Sequence, residues 1–301
     1  MIDSSHTPPA FNSYADVIRT IRLGQKAFLN MSNGTTSRIN RTRLLQNYET
    51  ILHCAGIEQM MGEAIGVKPG ELLIQDADEE LGRYADVPAC WLPSLGELIS
   101  AADHKMAIAS DLLAEIKLVK EFRDQVLHGK QPAFGAGQRK CVKAVFQKLR
   151  QGKHCTPRAE LLSRIAFVEK IQAGKAEAEE TFATLETLYL SIEAESDVRN
   201  ALPPSKYKNF HLPAVASIFE LKRLDPALTR IFKRDNLSRR LRASALIRNH
   251  LVHGSLITPT ERQTSIIRSA HELLGQALVE FQLKKNGGHT AGGDLRNGLD
   301  L

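Results

Sequence analysis

Apolar positions along the chain recur at helical spacing. Val142, Val145, Phe146 and Leu149 fall on one stripe. Ile266, Ile267, Ala270, Leu273, Leu274, Ala277, Leu278 and Phe281 fall on another, as expected of helices that bury one face. No convincing apolar/polar alternation runs longer than about five residues, so the pattern predicts an all-α protein. Turn-rich clusters separate the stripes: SNGTTS at 32–37, KQPAFGAG at 130–137, ALPPSKYKN at 201–209 and ITPTE at 257–261. The stretch from Asn286, NGGHTAGGDLRNGLDL, carries too little apolar surface to offset the entropy of ordering it and is expected to be a disordered tail, 286–301.

The pattern also repeats. FRDQVLHGK at 122–130 and IRNHLVHGS at 247–255 place Arg123, Asp124, His128 and Gly129 on Arg248, Asn249, His253 and Gly254, each 125 residues after its counterpart. The apolar positions upstream follow the same offset: Leu112 and Leu237, Ile116 and Leu241, Phe122 and Ile247, Val126 and Leu251, Leu127 and Val252. PSLGEL at 93–98 resembles ASIFEL at 216–221 at an offset of 123, which places a two-residue insertion between the matched segments. Each half therefore predicts a small helical bundle. A long first helix, at about 43–66 and about 158–195, is followed by a second, a motif-bearing third and a closing fourth. The expected boundary lies near QGKHCTP at 151–157, giving domains at 14–152 and 156–285. Two halves with matching faces would pack about a pseudo-two-fold axis, as the subunits of a homodimer do.

The repeated polar residues suggest chemistry. On a helix, residues four apart lie roughly 40° apart in projection, so Asp124 sits over His128 and Asn249 over His253, where either could orient the ring. The arginine is roughly 140° away, but its long stem can reach the same cleft if the helix ends at the histidine. A plainer reading takes the His-Gly pairs as helix C-caps, which leaves the Arg-Asp and Arg-Asn pairs without a special reason. Cleaving RNA without a metal needs a base for the 2′-hydroxyl proton, an acid for the leaving 5′-oxygen and cations for the phosphorane. Histidine suits the first two tasks and arginine the third. One half supplies one histidine; two facing halves supply the full set.

The R-[N/D/H]-x-x-x-H pattern at the end of the third helix of a four-helix bundle resembles the HEPN superfamily. Its catalytic members are metal-independent endoribonucleases with active sites where two bundles meet. RDQVLH and RNHLVH both fit the motif, the second with the favoured Asn. The resemblance spans the arrangement of nearly the whole chain but is specific at residue level only around the motifs. It implies two HEPN-like bundles in one chain, packed as an intramolecular pseudo-dimer. Arg123, Asp124, His128, Arg248, Asn249 and His253 would then form one composite site that needs no cofactor. His253 would be the general base and His128 the general acid, in exchangeable roles, with Arg123 and Arg248 on the scissile phosphate. The expected products carry a 2′,3′-cyclic phosphate and a 5′-hydroxyl. The family setting implies antiviral defence or a toxin, with an antitoxin or regulatory partner, and leaves open a further homodimer. Two departures stand out. The tyrosine that follows the motif histidine in toxins controlled by a nucleotidyltransferase partner is replaced by Gly129-Lys130 and Gly254-Ser255, so inactivation by modification there is not expected. Asp124 also sets a negative charge where Asn is favoured.

Composition is compatible with this reading. The 301 residues are 43% hydrophobic, enough for a buried core, and 40 Lys plus Arg against 34 Asp plus Glu give a formal net charge of +6. RIFKRDNLSRRLR, with Arg230, Lys233, Arg234, Arg239, Arg240 and Arg242, leads into the second motif and suggests an RNA-tracking surface, the alternative being a solvated basic face. GQRKCVKAVFQKLRQGK at 137–153 is a second basic stretch, and KYKNF at 206–210 offers Tyr207 and Phe210 for base stacking or for packing on the bundle. Cys54, Cys90, Cys141 and Cys155 form no CxxC pair and suit a reduced protein. No signal layout or membrane-length apolar run is evident, which predicts a cytoplasmic protein and leaves the N-x-S/T matches at Asn30, Asn33 and Asn40 without meaning. His250 and His253 are three apart, yet no third metal ligand accompanies them. His53 and His271 sit on apolar stripes, where a hydrogen-bonded core histidine is the default, although His271 could reach the cleft. No P-loop, dinucleotide fingerprint or GxSxG occurs. A non-catalytic helical RNA-binding or regulatory module, or a protein-binding scaffold, would share most of these features.

Overall fold

The computed structural model describes residues 35–66, 79–88, 94–128, 131, 133–152, 156–175, 179–201 and 236–290. Among these residues the structure is all helical: α1 Thr35–Ala64, α2 Glu79–Ala85, α3 Leu95–Lys105, α4 Ser110–Leu127, α5 Ala136–Gln151, α6 Ala159–Gln172, α7 Glu179–Ala201, α8 Leu237–Val252 and α9 Glu261–Thr290. None is long and apolar enough to cross a membrane. Helix α1 is the hub of the N-terminal part, packing against α3, α4, α5 and α6. Helices α7, α8 and α9 pack together, α2 docks on α8, and α8 also touches α1.

The apolar stripes bury as their spacing requires. Val142, Val145, Phe146 and Leu149 of α5 are all buried, and so are Ile266, Ile267, Ala270, Leu274, Ala277, Leu278 and Phe281 of α9. Helices α1 and α5 approach so closely at Gly56 that a Cβ there would collide with the Phe146 ring. One continuous apolar core runs from Leu44 to Ile267 and joins residues from both ends of the chain. Burying such side chains contributes roughly 1.5–3 kcal/mol each before entropy is subtracted, so this shared core is the main force holding the helices together.

Local signals set the helix ends. Ser94 caps α3 with a reciprocal box: its hydroxyl accepts from the Glu97 amide at 3.2 Å, and the Glu97 carboxylate accepts from the Ser94 amide at 2.6 Å. At the start of α5 the Gln138 side chain accepts from the Gly135 amide at 2.8 Å, and at the start of α9 Gln263 accepts from the Thr260 amide at 2.8 Å. These two caps are 125 residues apart. So are two glutamate-paired cations, Lys143 of α5 with Glu49 and Glu169, and Arg268 of α9 with Glu186.

Two expectations need correction. The long helix expected at about 158–195 is two helices, because the chain turns at Ala173 and at Gly174, whose φ of +71° lies in the left-handed region. Its first part, α6, lies against α1 instead of extending α7. The tail expected from Asn286 begins as helix, since α9 continues to Thr290. ASIFEL, KYKNF, Arg230, Lys233, Arg234, Cys90, Cys155 and Gly129 lie outside the described residues, as do residues 14–34 of the first expected domain and 291–301 of the expected tail.

Candidate functional site

Both motifs end their helices in the same way. His128 and His253 are the residues at which α4 and α8 stop, each with its amide on the carbonyl four residues back, at 3.1 Å to Asp124 and 2.9 Å to Asn249. Past His253 the Gly254 amide donates to Leu251 and the Ser255 amide to His250, the paired bonds of a Schellman cap, with Gly254 at φ +69°. A side chain at Gly254 would also press on Gln59, Ala55 and Leu161. The matched bonds Gln131 to Gln125 and Leu256 to His250 carry each chain away from its motif along the same path. The C-cap reading of the His-Gly pairs is thus correct at the second motif, and it explains why each histidine stands free of the helix barrel.

The groups gathered there include two glutamates that the motif does not contain. Glu58 of α1 accepts from the Arg123 guanidinium and, at 2.7 Å, pairs with Nδ1 of His253. Glu195 of α7 accepts from Arg248 at 2.5 Å and pairs with Nδ1 of His128 at 3.2 Å. Each glutamate therefore holds the arginine of its own half and the histidine of the other, and the two motifs meet in one crossed arrangement of six side chains. Asp124 and Asn249 bind guanidinium groups as well. Arg123 donates to Asp124 at 3.3 Å, and Arg248 to Asn249 at 3.2 Å. The expectation that these two residues orient the rings is thus corrected: the glutamates orient the rings, and the residue after each arginine steadies the arginine.

Electrostatics follow from burial. The side chains of Glu195, Glu58, Arg248 and Arg123 are 0%, 5%, 4% and 7% exposed, while His128 and His253 are 21% and 14% exposed. Burial disfavours an ionised Glu195, but Arg248 and the hydrogen bond from His128 outweigh it and hold the carboxyl at about 2. Burial opposes ionisation of Glu58 in the same way, and Arg123 and His253 bring it below the usual carboxylate range. For Arg123 the desolvation is overcome by Glu58 and Asp124, which raise its value. Asp124, against its own burial, is held low by Arg123, by Lys120 at 2.7 Å and by His128. Lys120 has its counterpart in Ala245, so the first half sets a Lys-Asp pair where the second has Ala and Asn, and the local charge comes out equal.

The other candidates are distributed differently. His250 is buried and commits both ring nitrogens, Nδ1 to Ser255 at 2.7 Å and Nε2 to the Pro88 carbonyl at 2.9 Å, so it is no metal partner for His253. Burial holds its value below the usual histidine range. His53 is a core residue edge-on to Phe146, with a ring separation of 4.6 Å, and burial depresses it to about 4. His271 pairs with Glu193 at 2.7 Å, on the helix that carries Glu195. Of the basic residues before the second motif, Arg239 pairs with Glu80 and lies over the Tyr84 ring, Arg240 donates to Ser269, and Arg242 is exposed. In the 137–153 stretch, Lys143 and Lys148 pair with glutamates and Arg139 donates to the Phe134 carbonyl. Cys54 and Cys141 are free thiols, and burial pushes Cys54 up to about 12.

Glu58 and Glu195 were legible in principle. At an offset of 137, ETIL at 49–52 lies on ETLY at 186–189, and nine residues after each first Glu stand Glu58 and Glu195. The different offset, 137 against 125, is what hides the match in a search at one register. No protein-family model matches the chain, and comparison with the curated proteins and with the solved structures finds no match.

Proposed function

We propose that the chain is a metal-independent endoribonuclease of HEPN type, with one composite site shared by two HEPN-like bundles. The observation that carries this reading is the crossed pairing: Glu58 and Glu195 each join the arginine of one motif to the histidine of the other. Each ionised carboxylate accepts the Nδ1 proton of a ring, which fixes the tautomer and makes Nε2 the atom that exchanges a proton with substrate. Nε2 of His253, neutral, takes the 2′-hydroxyl proton. The 2′-oxygen attacks phosphorus, the bond to the 5′-oxygen breaks, and that oxygen leaves with the Nε2 proton of a cationic His128. The products are a 2′,3′-cyclic phosphate and a 5′-hydroxyl, and the two roles can be exchanged between the rings.

The arginines take a different part from the one the family resemblance implies. At 4% and 7% side-chain exposure they are committed to Glu195 and Glu58, so their supported role is to keep those carboxylates ionised and in place. The less buried histidines are the groups that meet RNA. Defence or toxin activity, with an antitoxin or regulatory partner, is the setting this enzymology suggests. The full internal pairing of both arginines also favours a second reading, a non-catalytic RNA-binding or regulatory module in which the crossed glutamate pairs pin two bundles together.

Labelled total RNA and tRNA incubated in excess EDTA with wild type, His128→Ala, His253→Ala and the double variant separate the two. The nuclease reading predicts cyclic-phosphate ends that disappear with either substitution. Equal cutting by all four proteins, or RNA binding without cutting across varied RNAs, refutes it in favour of contamination or of the non-catalytic module.

A further inference from the structure

The offsets that relate the halves place Gly56 of α1 opposite Glu193 of α7, Met60 opposite Asp197, and Phe146 of α5 opposite His271 of α9. In the first half this trio is an apolar helix contact: Met60 and Phe146 are each 1% exposed, and Gly56 makes room for the ring. The second half makes the equivalent helix contact with three groups that can each ligate a cation. Their donor atoms, one from each residue, all lie within 4.8 Å of one another, with His271 Nε2 2.7 Å from a Glu193 oxygen. The fold does not require polar groups at this contact, as the first half shows.

Charge balance points the same way. The neighbouring buried carboxylates on α1 and α7 each face a guanidinium or ammonium: Glu49 with Lys143, Glu58 with Arg123, Glu186 with Arg268, Glu195 with Arg248. Glu193 and Asp197 face each other and His271, with no arginine or lysine bridging them among the described residues. Asp197 has no hydrogen-bond donor among those residues. Glu193 and His271 are 17% and 23% exposed, so water can complete a coordination shell.

We propose that Glu193, Asp197 and His271 bind one divalent first-row transition metal ion, of which Zn²⁺ is the natural probe, and that the ion clamps α7 to α9. One imidazole with two carboxylates suits such an ion better than Mg²⁺, which prefers oxygen ligands and keeps its waters. Glu193 and Asp197 each lie two positions from Glu195, roughly 160° round the helix, so the clamp sits on the face of α7 turned away from the paired motifs. It is a structural site, separate from RNA chemistry, and does not rest on the ribonuclease reading.

The test is calorimetric titration of Zn²⁺, and separately Mg²⁺, into the tag-free full chain stripped with EDTA and desalted. Three further proteins are compared: Asp197→Asn, His271→Gln, and the triple variant Glu193→Gly, Asp197→Met, His271→Phe, which transplants the first half's contact. Helical circular dichroism confirms that each folds. The expected result is one Zn²⁺ per wild-type chain and no Mg²⁺ at the same concentrations. Binding should be about tenfold or more weaker in each single variant, given that even outer-shell losses cost that much, and absent in the triple. Failure of the wild type to bind Zn²⁺, or binding unchanged in the triple variant, overturns the proposal. Cleavage in EDTA is unaffected by either outcome.

Discussion

The two halves of the chain build the same cap, the same motif end and the same glutamate bridge, yet they differ in how they neutralise charge around it. In the first half Asp124 pairs with Lys120 at 2.7 Å and with Arg123 at 3.3 Å, where the second has Ala245 in place of the lysine and Asn249 accepting from Arg248. The net charge is equal, so the pair-for-neutral exchange leaves the glutamate bridge intact. Elsewhere the halves diverge without compensation: Gly56, Met60 and Phe146 make a dry contact where Glu193, Asp197 and His271 place two acids and a histidine. The difference is that the crossed glutamates are matched in both halves, while the contacts on the far faces of α1 and α7 differ in kind, apolar in one and ionisable in the other.

The largest effects should come from breaking the bridges. Glu195→Gln leaves the buried Arg248 without a carboxylate, a loss of about 3–5 kcal/mol in unfolding free energy, and Glu58→Gln leaves Arg123 with Asp124 alone, a loss at or below that. For a chain of this size that corresponds to a melting temperature lower by roughly 10 °C. If the halves are equivalent the two variants match within error in a thermal melt. A much smaller loss for Glu58→Gln would show that the Asp124 carboxylate substitutes for it at Arg123.

Acid should act through the same groups. Glu195 has a folded value of about 2, below the roughly 4.3 of an unfolded glutamate, so its contribution is fully present above pH ~4.3 and is lost as pH falls toward 2. About 3 kcal/mol is at stake. Chemical denaturation from pH 5 to 2 should show that slope in wild type and a shallower one in Glu195→Gln.

Gly254→Ala comes next. A Cβ at φ +69° is strained, at a cost of roughly 1–2 kcal/mol, and would crowd Gln59, Ala55 and Leu161. Equilibrium urea unfolding measures it. The smallest effect is a gain. Burial and Glu193 raise Asp197 to about 6, above the roughly 3.9 of an unfolded aspartate, so that group withdraws stability as pH rises from 4 through 6. Asp197 is only partly buried, so solvent screening leaves a fraction of what the shift alone implies, and in EDTA at pH 7 Asp197→Asn should melt slightly higher than wild type, with no such gain at pH 4.

Much of this was visible in the sequence. The all-helical class followed from stripes such as Val142 to Leu149, and the equivalence of the motifs followed from Arg123 and Arg248 with their histidines at one offset. What stayed hidden depended on a second offset. Glu58 and Glu195 lie in the middle of helices, 65 and 53 residues before the arginines they bind, and nothing local marks a glutamate as buried. The break at Gly174 also escaped, because the apolar positions of α6 and α7 continue across it, and only tertiary packing of α6 on α1 shows that two helices are needed. Spacing alone makes Asp124 and Asn249 partners of the rings, whereas in the structure Asp124 accepts from Lys120 and Arg123 and Asn249 accepts from Arg248.

The central claim is that two histidines from two halves form one reactive site. Initial rates of cleavage of a single labelled RNA in EDTA, for wild type, His128→Ala, His253→Ala and the double variant, test it as a cycle. One composite site predicts that each single substitution removes about 10²-fold or more of the rate and that the double variant is no slower than either single. Two independent sites would leave each single variant near half the wild-type rate, with loss only in the double, and that result would contradict the account.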